Sequence, residues 1–303
     1  MPQHSAIGGQ LDYLADAALP PGTLVRAPLG RRNVPGIVWG AGPVPPEDAS
    51  DVTLRPLTEA LTALPPLPDA WRGLVEFAAG YYQRGIGELA LSVLPPELRR
   101  LDATQLSRRL KRLAAPPQAL AEPPPLRELT AEQAAVLEDW GDGPAGVTLL
   151  HGVTGSGKTE VYLRAAKQAL DAGRQALVLV PEINLTPQLE ARFAERFPRH
   201  VMVSLHSALT PAQRLRHWLL AHTGRADLVL GTRLAVFTPL PRPGLIVVDE
   251  EHDPSFKQQE GARYSARDLA VYRGRLEGVP VLLGSATPSL ESWLRADEGR
   301  YRR

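Results

Sequence analysis

The sequence predicts an α/β protein: a parallel sheet wrapped by helices in its C-terminal part, preceded by a small, mostly β N-terminal domain with a helical segment. Three observations predict it. Beyond about residue 127, short apolar runs alternate regularly with helical stretches, and continuous apolar runs alternating with helices are the pattern of a parallel sheet covered on both faces. A glycine-rich loop, Gly152 to Thr159, lies between one such run and one such helix. Proline clusters punctuate the first half, the densest being "APPQALAEPPPL" from Ala115, and repeated prolines stiffen a segment against helix or central strand. The resulting division is 1–97, a basic, proline-rich linker at 98–126, and 127–303.

The N-terminal segment opens with "GTLVRAPLG" and "VPGIVWGAG", apolar runs bounded by glycine and proline that read as strands of a small barrel or twisted sheet. In "DAWRGLVEFAAGYYQRGIGELALSVL" the apolar residues take helical spacing, interrupted at Gly85 and Gly87, and Trp71, Phe77, Tyr81 and Tyr82 are expected in the core. The run "ELRRLDATQLSRRLKRL", Glu97 to Leu113, carries Arg99, Arg100, Arg108, Arg109, Lys111 and Arg112 against Glu97 and Asp102. It is either a solvated helix face or a local patch for phosphates. After the linker, strands are predicted at 147–151, 176–180, 201–206, 227–231, 245–249 and 279–284, with helices at 158–172, 187–196 and 211–221.

Composition narrows the function classes. The 303 residues are 44% hydrophobic and 22% charged with a net charge of +1, ordinary for a globular protein of two domains. No apolar run reaches the length of a membrane span, and the N-terminus lacks the pattern of a signal peptide, so a cytoplasmic protein is expected. The chain contains no cysteine, which removes disulfides and thiolate metal sites; nothing in it asks for zinc.

Gly152, Gly157, Lys158 and Thr159 fit the phosphate-binding pattern G-x-x-x-x-G-K-[ST]. Glycines let the backbone of Gly152, Thr154, Gly155, Ser156 and Gly157 turn its N–H groups toward phosphate oxygens; Lys158 adds a point charge, and the Thr159 hydroxyl suits Mg²⁺. Such loops serve kinases, transporters and motors alike. The run "GLIVVDEEHD" ends a buried strand in Asp249, Glu250 and Glu251. An acid on the strand neighbouring the loop can hold Mg²⁺, and a second carboxylate, Glu250, can orient or deprotonate an attacking water. The pair suits nucleotide hydrolysis better than transfer to a substrate. In "LLGSATPS", Ser285 and Thr287 close the last strand, where small hydroxyls can hydrogen-bond the acidic motif and report its state.

Taken in order, "GVTGSGKTEVYL", "VPEINLTPQL", "LHSALT", "GTRLAVFTPL", "VVDEEHDPSFKQQEGARYSARDLAVYR" and "LGSATPSLES" resemble the first motor lobe of the primosomal protein N′ (PriA) family, superfamily 2 DNA helicases of replication restart. The resemblance is strong over residues 129–295 and fainter over 10–97. It implies a RecA-like lobe that uses ATP and Mg²⁺, with Lys158 and Thr159 on phosphate and metal, Asp249 on the metal side and Glu250 activating water. Gln133 stands where related helicases read adenine by a side-chain amide. Thr232 and Arg233 stand in a motif that touches the single-strand backbone. Phe256, Lys257, Arg263 and Tyr264 belong to a loop resembling the aromatic-rich loop that couples single-stranded DNA to hydrolysis, with Ser265 where histidine is common. Asp12, Tyr13, Gly30 and Arg55 resemble the family's pocket for the 3′ end of a nascent strand: Asp12 would accept from the terminal hydroxyl and Tyr13 would stack, while Leu11 replaces an aromatic residue.

Two departures bear on function. Only some thirty residues separate "LSVLPP" from "LTAEQ", too few for the winged-helix domain usual in the family. The second motor lobe, with its arginine finger and zinc-binding insertion, is not in this sequence. A finger of that kind is worth about 10³–10⁵ in rate, so this chain is expected to bind ATP but to hydrolyse it weakly. The resemblance implies an ATP-dependent 3′→5′ helicase acting at forks and D-loops, with DNA, single-strand-binding protein and other primosome components as partners. A fork-binding assembly platform without helicase activity is the rival reading, and an unrelated P-loop enzyme acting on a small molecule is a third.

Overall fold

The computed structural model describes residues 10–42, 54–113, 125, 128–141 and 146–303. Apart from Pro125, the proline-rich stretch of the expected linker lies outside the described residues. The chain divides into two compact units, Met1–Ala115 with Pro211–Leu219, and Pro116–Thr210 with Leu220–Arg303.

In the first unit the strands are β1 (Tyr13–Leu14), β2 (Leu24–Leu29), β3 (Arg32–Ile37), β4 (Arg55–Pro56) and β5 (Glu59–Ala60). β2 pairs antiparallel with both β3 and β5, and β1 pairs parallel with β4. Two residues, Gly30 and Arg31, close the β2–β3 hairpin, and Gly30 takes the positive φ (61°) that such short turns demand at their first position. Helix α1 (Asp69–Tyr81) follows Pro68, with Trp71, Leu74, Val75 and Ala78 spaced as one buried face. A short helix, α2 (Ile86–Ser92), starts after Gly85. Of the aromatic residues expected in this core, Trp71 is buried, whereas Tyr81 ends α1 70% exposed and stacks on Phe77 at 5.5 Å.

Part of the expected linker is folded. Leu98–Arg100 forms a 3₁₀ turn and Ala103–Leu113 forms α3, with Leu98, Leu101 and Leu106 buried. Asp102 and Gln105 start α3 with reciprocal side chain–backbone hydrogen bonds of 2.7 and 3.3 Å, which satisfy backbone donors that a helix start leaves open.

In the second unit the strands are β6 (Val147–His151), β7 (Gln175–Leu179), β8 (Met202–Leu205), β9 (Leu228–Gly231), β10 (Pro243–Asp249) and β11 (Val281–Ser285). They form one parallel sheet in the order β6-β11-β10-β7-β9-β8. The six predicted strands are these six, displaced by at most two residues. Helices α4 (Ala131–Gly141), α5 (Lys158–Asp171), α6 (Pro187–Arg196), α7 (Pro211–His222), α8 (Ala266–Glu277) and α9 (Leu290–Asp297) alternate with them, and α7 crosses the division between the units. Side-chain caps fix several starts: Thr186 accepts from Leu189 N, Ser265 from Asp268 N and Ser289 from Ser292 N.

The sheet order corrects one expectation. The acidic motif is not on the strand next to the P-loop strand, because β11 lies between β6 and β10. Leu150, Gly284 and Asp249 stand side by side across the three strands. Gly284 is required there, since a Cβ on it would lie 1.5 Å from the Tyr162 hydroxyl, which reaches over it from α5. Gly284→Ala is expected to lower stability by about 1–3 kcal/mol, the usual cost of overpacking a core, measured by urea unfolding. Adding Tyr162→Phe, which removes the nearest clashing atom, should recover part of the loss; an unchanged midpoint for the single variant would contradict this packing.

Candidate nucleotide site and nucleic-acid interface

The site lies at the carboxyl ends of β6, β10 and β11, where open α/β sheets bind ligands. Gly155 and Gly157 take φ of 83° and 85°, a backbone only glycine adopts readily, and successive N–H groups in such turns form a concave anion cradle. Lys158 opens α5 and its ammonium donates to Gly152 O at 2.7 Å and Val153 O at 3.3 Å, which holds the charge at the loop. Thr159 follows on the first turn, half-buried. These residues fit a nucleotide phosphate with Mg²⁺: a positive helix end, a cradle of N–H groups, a lysine, a hydroxyl and a facing carboxylate.

Gln133 lies against the same loop. It forms a reciprocal cap with Thr130 at the start of α4, and its amide N–H donates to Ser156 O at 3.2 Å. A Cβ on Gly157 would meet that amide at 2.3 Å, so the left-handed glycine also makes room for Gln133.

Asp249 is the acid facing the loop. Burial foremost raises its carboxyl above the ordinary range and the Glu250 charge adds to this, while a 2.9 Å hydrogen bond from Tyr162 and the Lys158 charge oppose it. Burial and Asp249 together push the Tyr162 phenol well up, so it stays a donor. Tyr162 was not recognised in the sequence, although it sits four residues after Lys158 on one face of α5. Glu250 has φ 47°, the left-handed region a non-glycine residue occupies at a cost of about 1–3 kcal/mol. The turn is held by Glu251 N to Gly284 O at 3.0 Å and Asp253 N to Glu250 O at 2.8 Å.

The hydroxyls after β11 engage the acidic motif through His252. Its Nδ1 lies 2.7 Å from Ser285 Oγ and 3.7 Å from Glu250 Oε2, and its Nε2 lies 3.3 Å from Thr287 Oγ1. Glu251, given no role from the sequence, is 1% exposed. It accepts from Ser289 N at 2.7 Å, Ser289 Oγ at 3.1 Å, Ser292 Oγ at 2.9 Å and Arg267 Nη1 at 3.2 Å. One buried carboxylate thus ties the acidic motif to the end of the loop after Asp253 and to the start of α9.

That loop corrects two expectations. Phe256 and Tyr264 are 2% and 6% exposed, and Tyr264 packs edge-on against Phe237 at 5.1 Å. Neither ring is free to stack on a base; both dock the loop. Lys257 and Arg263 are exposed, with Lys257 bridged to Ser265 and Gln258 N donating to Tyr264 O at 2.8 Å beneath the loop tip. Thr232 is buried as well, and Arg233 is half-buried, donating to Ser255 O at 3.2 Å. In the first unit, Tyr13 and Arg55 are register partners, Tyr13 Oη donates to Pro28 O at 3.0 Å, and Arg55 Nη1 donates to Gly30 O at 3.3 Å. Asp12 is exposed beside Gly42. Gly30 takes a positive φ in its turn, and the space around it is open.

Comparison with known proteins finds relatives of both parts of the chain. The model of the DEAD/DEAH box helicase family matches residues 130–295, and that of the 3′DNA-binding domain (3′BD) matches residues 4–95. This chain belongs to the DEAD/DEAH box helicase family. Its relatives there carry the name replication restart protein PriA: that of Bacillus subtilis is 49% identical over 155 residues, 51% of this chain and 19% of the relative. That of Haemophilus influenzae is 53% identical over 155 residues, 51% of this chain and 21% of the relative. That of Rickettsia felis is 33% identical over 293 residues, 96% of this chain and 43% of the relative. The chain therefore spans less than half the length of these relatives. Among solved structures, RecG bound to a three-way DNA junction is 22% identical, covering 76% of this chain and 28% of its own, with a TM-score of 0.43.

The raised Asp249 carboxyl sets a pH dependence. A folded-state value above the unfolded one favours the neutral acid, so the contribution to stability is present below the unfolded value and is lost as pH rises through the folded one. Asp249→Asn, which keeps an acceptor for Tyr162, is expected to raise the urea midpoint of the nucleotide-free protein at neutral pH. The gain should vanish toward the lower edge of the carboxylate range; a gain independent of pH would refute the assignment.

Proposed function

We propose that this chain is the DNA-recognising and nucleotide-binding part of an ATP-dependent 3′→5′ DNA helicase of replication restart, acting at stalled forks and D-loops. The observation that carries this reading is the convergence of Lys158, Thr159, Asp249 and Glu250 at one sheet edge, tied through Glu251 and Arg267 to a loop that exposes Lys257 and Arg263. Lys158 and the cradle bind the β and γ phosphates, Thr159 and Asp249 hold Mg²⁺, and Glu250 orients the attacking water. Bound Mg²⁺ supplies charge neutralisation of the phosphates. Gln133 reads adenine by exchanging its contact with the P-loop for the base edge.

Lys257 and Arg263 take the single-strand backbone, with Arg233 and the buried Thr232, Phe256 and Tyr264 shaping the surface beneath them. In the first unit, Asp12, Tyr13, Gly30 and Arg55 receive the 3′ end of a nascent strand. Single-strand-binding protein and other primosome components are the partners this role requires, and a cytoplasmic location follows from it. No described helix is long and apolar enough to cross a membrane.

Lys158→Ala is expected to lower DNA-stimulated ATP turnover by about 10²–10³, the scale of removing one charged stabiliser of a transition state, measured on this chain with single-stranded DNA. Because the parent is itself expected to hydrolyse ATP weakly, tight fork binding by a parent that binds no ATP at all would favour an assembly platform instead. Asp12→Ala is expected to abolish the preference for a 3′-hydroxyl over a 3′-phosphate end, with a loss of about 10–100-fold for a hydrogen bond to a charged group. An unchanged preference in fluorescence anisotropy would remove Asp12 from the pocket.

A further inference from the structure

The face of α3 is used by none of the sites above. Leu106, Leu110 and Leu113 recur at i, i+4 and i+7 and fall on one side, Leu106 buried and the other two half-buried. Arg108, Lys111 and Arg112 fall on the opposite side, Arg109 falls on the flank, and all four are exposed. Among the described residues none of the four takes part in an ion pair or a side-chain hydrogen bond. The nearest acid in sequence, Asp102, is engaged in starting the helix. A solvated face ordinarily mixes signs; this one carries cations alone.

Its anchoring places it. Arg26 Nη1 donates to Arg99 O at 3.0 Å, and Ala103 N, at the start of α3, donates to Glu59 Oε1 at 3.0 Å. Arg26 and Glu59 are register partners on β2 and β5. Two residues further along β2, Pro28 O accepts from Tyr13 of the candidate 3′-end pocket. Two residues of strand span about 7 Å, and α3 is about 16 Å long, so helix and pocket are rooted on one strand within a few phosphates of each other. The apolar side of α3 is turned inward, which leaves no apolar face for a bilayer.

We propose that Arg108, Arg109, Lys111 and Arg112 of α3 form a binding surface for the phosphate backbone of the duplex arm that ends at the bound 3′-hydroxyl. Duplex DNA offers one charge per about 1.7 Å of axis, so a row of cations on one helical face meets several phosphates without reading sequence. The proposed surface rests on reading the first unit as a binder of 3′ ends.

The test is fluorescence anisotropy of the full chain on a fork whose nascent arm ends in a 3′-hydroxyl, the same fork ending in a 3′-phosphate, and a single strand, each over a range of salt. Arg108→Gln/Lys111→Gln/Arg112→Gln is expected to weaken fork binding by about 10–100-fold at low salt. It should also flatten the plot of log affinity against log salt by about 2–3, at roughly 0.9 per phosphate contact. The hydroxyl-to-phosphate preference and single-strand affinity should stay as in the parent, and Arg108→Lys/Arg112→Lys should keep the parent slope. Unchanged fork affinity and slope in the glutamine variant would overturn the proposal. An equal loss on fork and single strand would overturn the duplex assignment. A parent that cannot tell a hydroxyl from a phosphate end would strike the 3′-end reading instead, while the salt slope still decides the face.

Discussion

The second unit depends on the parallel register of β6, β11 and β10, in which Leu150, Gly284 and Asp249 stand abreast. The glycine-rich loop follows the edge strand, while the acid that faces it ends a strand two places in. Something must cross β11 to hold the two together. Tyr162 does so: it rides on the helix opened by Lys158, passes over a residue without a side chain, and donates to Asp249. Every added atom on Gly284 would push α5 from the sheet or Asp249 from the loop. The glycine in "LLGSATPS" therefore belongs to the nucleotide site as much as the glycines of the P-loop do.

A second tie runs from the acidic motif outward. Glu251 is almost wholly buried, and a buried charge is tolerated only when paired and hydrogen-bonded. Its four donors come from Arg267, Ser289 and Ser292, which lie on two separate elements. Next to it, His252 spans Ser285 and Thr287. Consecutive residues of one turn thus face opposite tasks. Glu250 is the residue proposed to orient water, Glu251 fixes the loop that follows, and His252 contacts the strand beside it. The left-handed φ of Glu250 is what lets three consecutive side chains diverge so far.

Much of this was legible in the sequence. The parallel strands declared themselves because strands buried on both faces are continuously apolar, as "ALVLV", "LIVV" and "VLL" are. The glycine-rich loop and the Asp249–Glu250 pair stood out because phosphate and metal chemistry would demand those residue types at fixed spacings. Strand order was not, since hydrogen-bonding partners lie far apart in sequence, and so neither Tyr162 nor Gly284 could be connected to Asp249. The aromatic residues of the loop after Asp253 misled for a related reason. A phenylalanine and a tyrosine in a basic loop serve equally well as stacking platform or as packing, and only their burial, with Tyr264 edge-on against Phe237, decides it. In the first unit the basic run was included in the linker with the prolines that follow it, while the buried Leu98, Leu101 and Leu106 that make it part of the fold are spread thinly among its cations.

The nucleotide site holds its groups in states the fold alone would not choose. Burial raises the Asp249 carboxyl and favours its neutral form, Glu250 sits in a backbone region that costs free energy, and Lys158 satisfies its ammonium on its own loop carbonyls. The first and the last would be relieved by the same event. A polyanion with its metal would give Lys158 a counter-charge, and Asp249 a cation that makes ionisation favourable. Because that relief comes from the ligand, binding should stabilise the second unit beyond the contacts it adds. Conversely, the tension in the free state must be carried by the surrounding frame, which is the role left for the buried Glu251–Arg267 pair and for the hydroxyl of Tyr162.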